Sequence, residues 1–161
     1  MTLTSFTRTP LRLALGLALA ACAGAAQATS ITMYRDPNCG CCLSWLKHAN
    51  EHFAKGEEKV TAKSVNSPNI AALKSDKGVP ADLVSCHTAI VDGMVIEGHV
   101  PAADIERLLE ERPKGITGLA VAGMPLGSPG MEAGERRQAY QVIAFGPNKR
   151  VVWATYPARD G

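Results

Sequence analysis

The sequence predicts an α/β domain, a mixed central sheet flanked by helices, with a C-terminal loop and a β-hairpin extension. Three observations predict it. Beyond residue 28, alternating β-branched runs take turns with segments whose apolar residues recur at near-helical spacing. Asp92-Gly93, between two apolar runs, favours a tight type I′ hairpin turn. Aromatic residues make up only 5% of the chain, so the core must be built from Val, Ile, Leu and Ala, which suits a small α/β unit better than an aromatic-rich sandwich.

The elements follow in order. Ser30 to Arg35 alternates and is rich in β-branched residues, a strand that Asp36-Pro37-Asn38 breaks. Cys41 to Ala54 is expected to be a helix, with Leu43, Leu46, Ala49, His52 and Phe53 on its apolar face and Gly56 beyond its end. Val60 to Val65 is a second strand; a Ser-Pro-Asn turn and a short helix through Ile70 to Lys74 follow. Gly78 to Cys86 is mostly loop. Thr88 to Val91 and Met94 to Glu97 are the hairpin strands, and Pro101 to Asp104 opens a helix with an apolar stripe of Ile105, Leu108 and Leu109 that Pro113 stops. This β-α-β-α-β-β-α order is that of a thioredoxin-like domain. Residues 114–139 carry no clear periodicity, the mark of a functional or mobile segment. Ala139 to Phe145 and Arg150 to Ala154 then form a closing hairpin.

Ahead of this domain, Arg8 and Arg12 precede the apolar run Leu13 to Ala21, too short to span a bilayer, and Ala26-Gln27-Ala28 supplies a small-residue cleavage site. Residues 1–28 are therefore expected to be a secretory signal peptide, leaving 29–161 as a thioredoxin-like metal-binding domain. Leu19-Ala20-Ala21-Cys22 also resembles a lipoprotein box, and membrane attachment is expected only if Cys22 is lipidated. Cleavage after Ala28 removes two arginines and no acid. Lys+Arg then falls from 17 to 15, level with the 15 Asp+Glu. A neutral domain lacks the basic footprint of a nucleic-acid binder.

Chemistry concentrates at Cys39-Gly40-Cys41-Cys42. Thiols at a helix N-terminus face unpaired N–H groups and the positive end of the dipole, which lowers their pKa and improves them as nucleophiles and ligands. Three of them within four residues suit a soft ion such as Cu(I), whereas a tetrahedral zinc site draws on two separated pairs. An exported protein can instead use such cysteines as a disulfide staple, although three clustered thiols cannot all pair with one another.

Cys86-His87 is the second component. Cys86 either completes a sulfur site, resolves a disulfide, or serves as a disulfide partner or small core residue; His87 is either an imidazole ligand or a hydrogen-bonded surface histidine. Met124 and Met131, in Gly-Met-Pro and Pro-Gly-Met turns, offer thioethers that bind Cu(I) without forming disulfides, or they fill core. His48 and His52, four apart, either share a metal ion or belong to a half-buried helix face. His99 has no partner visible in the sequence.

Taken together, Tyr34 to Pro37, the Cys39–Cys42 cluster, Val79-Pro80, Ser85 to Thr88, Val95 to Pro101 and Gly123 to Glu132 resemble the CopG-type copper-resistance proteins, small periplasmic proteins of Gram-negative bacteria long known only as a domain of unknown function. The resemblance spans essentially the whole mature chain. It implies a thioredoxin-like fold, copper bound as Cu(I) by Cys39, Cys41 and Cys42 in a site that can be multinuclear, and a role in copper tolerance through Cu(I)/Cu(II) interconversion. Cys86, His87, Met124 and Met131 fall in family motifs and complete the candidate ligand set. Copper ions and other periplasmic copper-handling proteins are the implied partners. The competing expectation is a periplasmic thiol–disulfide oxidoreductase with Cys39 attacking and Cys42 resolving. Whether the chain is an enzyme or a metal-binding protein turns on that choice, and metal binding is the reading the cluster favours.

Overall fold

The computed structural model describes residues 30–56 and 60–161. The expected signal peptide and Cys22 lie outside the described residues. The elements are β1 (Ser30–Arg35), α1 (Gly40–Phe53), β2 (Thr61–Asn66), α2 (Ile70–Asp76), a single 3-10 turn (Ala81–Leu83), β3 (His87–Val91), β4 (Met94–Glu97), α3 (Ala102–Glu111), β5 (Gly118–Ala120), β6 (Tyr140–Gly146) and β7 (Lys149–Tyr156). The strands form one sheet in the order β2-β1-β3-β4-β5-β6-β7. β1 runs parallel to β2, and β4 to β5; the remaining pairs are antiparallel. This is the mixed, helix-flanked α/β sheet that the periodicity predicts, with the C-terminal hairpin added to its edge. No helix among the described residues is long and apolar enough to cross a membrane.

The helices α1 and α3 share one face. Ile31, Met33, Ala89 and Val91 from the central strands meet Trp45, Ala49 and Phe53 of α1 and Ile105 and Leu108 of α3 in the main core. A smaller cluster of Val79, Leu83, Val95, Ala120 and Phe145 fills the opposite face. Removing such side chains from water is the dominant favourable term in folding.

Two expectations need correction. The buried face of α1 is Cys42, Trp45, Ala49 and Phe53, while Leu43 is exposed. The periodic Leu43-Leu46 pattern lies one step around the helix from the face that the sheet covers, and the large Trp45 indole decides the rotation. Within 114–139, Gly118–Ala120 forms a strand beside β4, and the rest is a series of fastened turns. Gly127 N–H donates to the Met131 carbonyl, Met131 N–H to that of Ser128, and Gln138 N–H to that of Leu126. The lack of periodicity reflects turn geometry: Gly123, Gly127, Gly130 and Gly134 all have positive φ.

Candidate metal centre

The site lies where three segments meet at one end of the sheet. The first is the β1–α1 junction. Arg35, buried on β1, sends Nη1 to the carbonyls of Asp36, Pro37 and Cys39 at 2.9–3.0 Å, curling the chain into the helix start. Cys39 is the N-cap in extended conformation and its side chain makes no capping bond, so its sulfur is left to other partners. Cys41 and Cys42 follow in the first turn, where unpaired N–H groups and the helix dipole favour negative charge.

The second segment is the β3–β4 hairpin. Asp92-Gly93 turns it as predicted, both residues having positive φ, and the register pairs Thr88 with Glu97. Carried two residues further, that register sets Cys86 opposite His99. Gly98 has φ +72, and a Cβ there would collide with Ser85, so only glycine lets the two ends approach. Trp45 Nε1 donates to the Val100 carbonyl at 2.8 Å, tying the cysteine helix to this end of the hairpin.

The third is the strap 123–131. Ser85 Oγ donates to the Gly123 carbonyl, and Gly130 lies so close to α1 that a Cβ would stand 2.6 Å from Trp45 N and 2.9 Å from the Cys41 carbonyl. Pro129 presents its carbonyl to His99 Nδ1 at 2.8 Å.

These segments bring four sulfurs together. Cys39 and Cys42 are joined in a disulfide, while Cys41 and Cys86 are free thiols. Cys41 Sγ is 3.4 Å from Cys39 Sγ and 3.9 Å from Cys86 Sγ, and Cys42 Sγ is 3.6 Å from Cys86 Sγ. Cys86 Sγ also approaches His99 Nε2 at 3.1 Å and His87 Nδ1 at 3.3 Å. The donor atoms of Cys39, Cys41, Cys42 and Cys86 lie within 4.8 Å of one another, and so do those of Cys86, His87 and His99. Cys86 belongs to both groups.

Protonation follows from the surroundings. Burial, and secondarily Cys41, pushes the Cys86 thiol up to about 12, so it carries its proton at neutral pH. Burial holds His99 below the usual histidine value and His87 well below it, so both rings are neutral. A carbonyl only accepts, so His99 Nδ1 carries the ring proton toward Pro129, and the bare Nε2 accepts from the Cys86 thiol. A neutral imidazole oriented by a carbonyl on its other nitrogen is how proteins present histidine to a metal. His87 turns Nδ1 toward Cys86, while its Nε2 is buried without a hydrogen-bond partner among the described residues. Thiol sulfurs with neutral imidazoles form a soft donor set that fits Cu(I).

The sequence-predicted residues separate as follows. Cys39, Cys41, Cys42, Cys86 and His87 converge; His87 is wholly buried, packed 4.6 Å from the Trp45 ring and 5.1 Å from that of His99, not on the surface. Met131 is half-buried next to Gly130 on the strap, and Met124 is 52% exposed at its start. His48 and His52 are taken up by other contacts: His48 Nε2 accepts the Ala102 N–H and His52 pairs with Glu106, joining α1 to α3. His99 is the residue that sequence reasoning missed. The signal was present, because the predicted two-residue turn fixes the register that sets it opposite Cys86.

The family described as a protein of unknown function, DUF411, matches residues 83–131, which hold Cys86, His87, His99 and the strap. A solved structure of a copper resistance protein copG, form 1, is 42% identical, covering 81% of this chain and 99% of its own, with a TM-score of 0.73. Form 2 is 45% identical over 81% of this chain and all of its own, with a TM-score of 0.71. No curated protein matches the chain.

Proposed function

The chain belongs to the copper resistance protein copG family, and on that premise we propose that it binds Cu(I) for copper tolerance, through Cys39, Cys41, Cys42 and Cys86 with His87 and His99 as imidazole ligands. The observation that carries this reading is the convergence of four sulfurs and two neutral buried histidines on one point, with Cys86 common to both halves. Two donor groups sharing one sulfur suit more than one copper ion, bridged by the thiolate. Met131 and Met124 complete the set as soft donors at the strap. We place the protein in the periplasm, receiving its ions from, and passing them to, other copper-handling proteins there.

Redox interconversion is the finer part of the proposal. Cys39 and Cys42 as thiols hold two electrons; closing their bridge releases two protons and reduces two Cu(II) to two Cu(I). The bridged pair is the oxidised end of that cycle, and reduction must precede full ligation.

The test is a Cu(I) titration of the reduced protein against a competing chelator. We expect stoichiometric binding that falls in Cys39→Ser, Cys41→Ser, Cys42→Ser and Cys86→Ser variants. Undiminished binding in all four would falsify the reading. The Cys39–Cys42 bridge favours a second reading, thiol–disulfide exchange with other exported proteins: Cys39 is the more accessible sulfur and Cys42 is fully buried, as attacking and resolving thiols require. Rapid metal-free reduction of a disulfide peptide distinguishes it.

A further inference from the structure

The bridge between Cys39 and Cys42 leaves two thiols facing each other. Cys41 stands on the first turn of α1 and Cys86 just before β3, 3.9 Å apart, and neither is bonded. We infer that Cys41 and Cys86 form a second dithiol–disulfide couple, so that the reduced cluster stores four electrons rather than two.

The geometry permits closure. A disulfide needs about 2.05 Å between sulfurs, so the two must approach by roughly 1.9 Å, within the reach of side-chain rotation. Cys86 sits between the 3-10 turn and β3, and its backbone is held by the Ser85 N–H bond to Glu97, so rotation of the two side chains has to supply the approach. Pairing follows by exclusion: Cys42 is nearer to Cys86, at 3.6 Å, but is already bonded to Cys39.

The step balances. The S–H bonds of Cys41 and Cys86 break and one S–S bond forms. Two electrons pass to two Cu(II), giving two Cu(I), and two protons leave to solvent. The two couples also differ in what they join. Cys39–Cys42 closes a loop within one helix turn, a separation of 3, whereas Cys41–Cys86 would staple α1 to the β3–β4 hairpin across 45 residues. The second bridge therefore restrains the unfolded chain far more. It also withdraws the sulfur shared by both donor groups, so the fully oxidised chain cannot hold copper as the reduced one does.

This inference rests on the copper reading only for the identity of the oxidant, so its test begins without copper. The full chain carrying Cys22→Ser, which removes the thiol outside the cluster, is reduced, then oxidised with diamide while folded. It is next unfolded, alkylated and weighed, and its disulfide peptides are mapped. The expected result is four alkylated thiols before oxidation, none after, a peptide joining Cys41 to Cys86, and a melting temperature above that of the singly bridged form. A Cu(II) titration read with a Cu(I)-specific chelator should then give twice the yield of the Cys86→Ser variant. Two thiols persisting after oxidation, or a map joining Cys42 to Cys86 and Cys39 to Cys41, overturns the inference. A protein that closes both bridges with diamide but binds no Cu(I) upholds it and defeats the copper reading; one that binds Cu(I) yet keeps two thiols does the reverse.

Discussion

Glu97 is wholly buried, and its carboxylate anchors the loop that carries Cys86. Oε1 accepts Lys74 Nζ at 2.6 Å and the Ser85 N–H at 2.7 Å, and Oε2 accepts Thr88 Oγ1 at 2.7 Å, with Lys74 Nζ also donating to Thr88 Oγ1 at 2.9 Å. The residues on either side of Cys86-His87 are thereby fixed to one buried ion pair. Burying two charges costs desolvation that their attraction only partly offsets, so this pair serves placement more than net stability. Burial raises the Glu97 pKa while Lys74 and the hydrogen bonds oppose the shift, so losing the lysine leaves the burial effect unchecked. Lys74→Met is expected to destabilise the protein by about 3–5 kcal/mol, because it strands the carboxylate. Lys74→Met with Glu97→Leu should recover much of that loss. Denaturant unfolding of the two variants checks it, and equal losses in both contradict the stranded-charge explanation.

At the scale of elements, the helices and all the strands except β5 were legible in the sequence, the seven-residue α2 and four-residue β4 included. β1, α1, the β3–β4 hairpin and α3 were each expected within a residue or two of where they stand, because apolar spacing and turn residues mark them. β5 carries no such mark: it is three residues, and its Gly118 is required because a Cβ there would collide with the Val95 carbonyl. The cysteine cluster was legible because its residues are adjacent in sequence. Arg35, which shapes the loop before α1, was not, because an arginine ending a strand looks like an ordinary solvated residue. The strap's role was hidden too, since turns show composition but not what they press against. Gly130→Ala tests that role: its φ of +83 and a Cβ contact of 2.6 Å to Trp45 N both oppose a side chain. We expect a loss of roughly 1–3 kcal/mol. Gly123→Ala, at φ +64 with nothing within 4 Å, should cost less. Thermal unfolding of both variants separates the contact from the backbone strain, and equal costs would mean that the strap does not press on α1.

The whole molecule divides its work between the faces of the sheet and one of its ends. The helices α1 and α3 and the central strands form a continuous apolar core, while the α1 start, the hairpin end and the strap converge beyond β1 and β3, where Arg35 pairs in register with His87. The site therefore depends on three chain segments that only the complete fold brings together, with residues 39 and 131 at its extremes. The central claim is that those segments present sulfur and imidazole to copper, and X-ray absorption at the copper edge of the reduced, Cu(I)-loaded protein tests it most directly. The expected spectrum has an edge typical of Cu(I) and a first shell dominated by sulfur with a minor imidazole component, which weakens in a His99→Gln variant. A first shell of oxygen and nitrogen alone would contradict it.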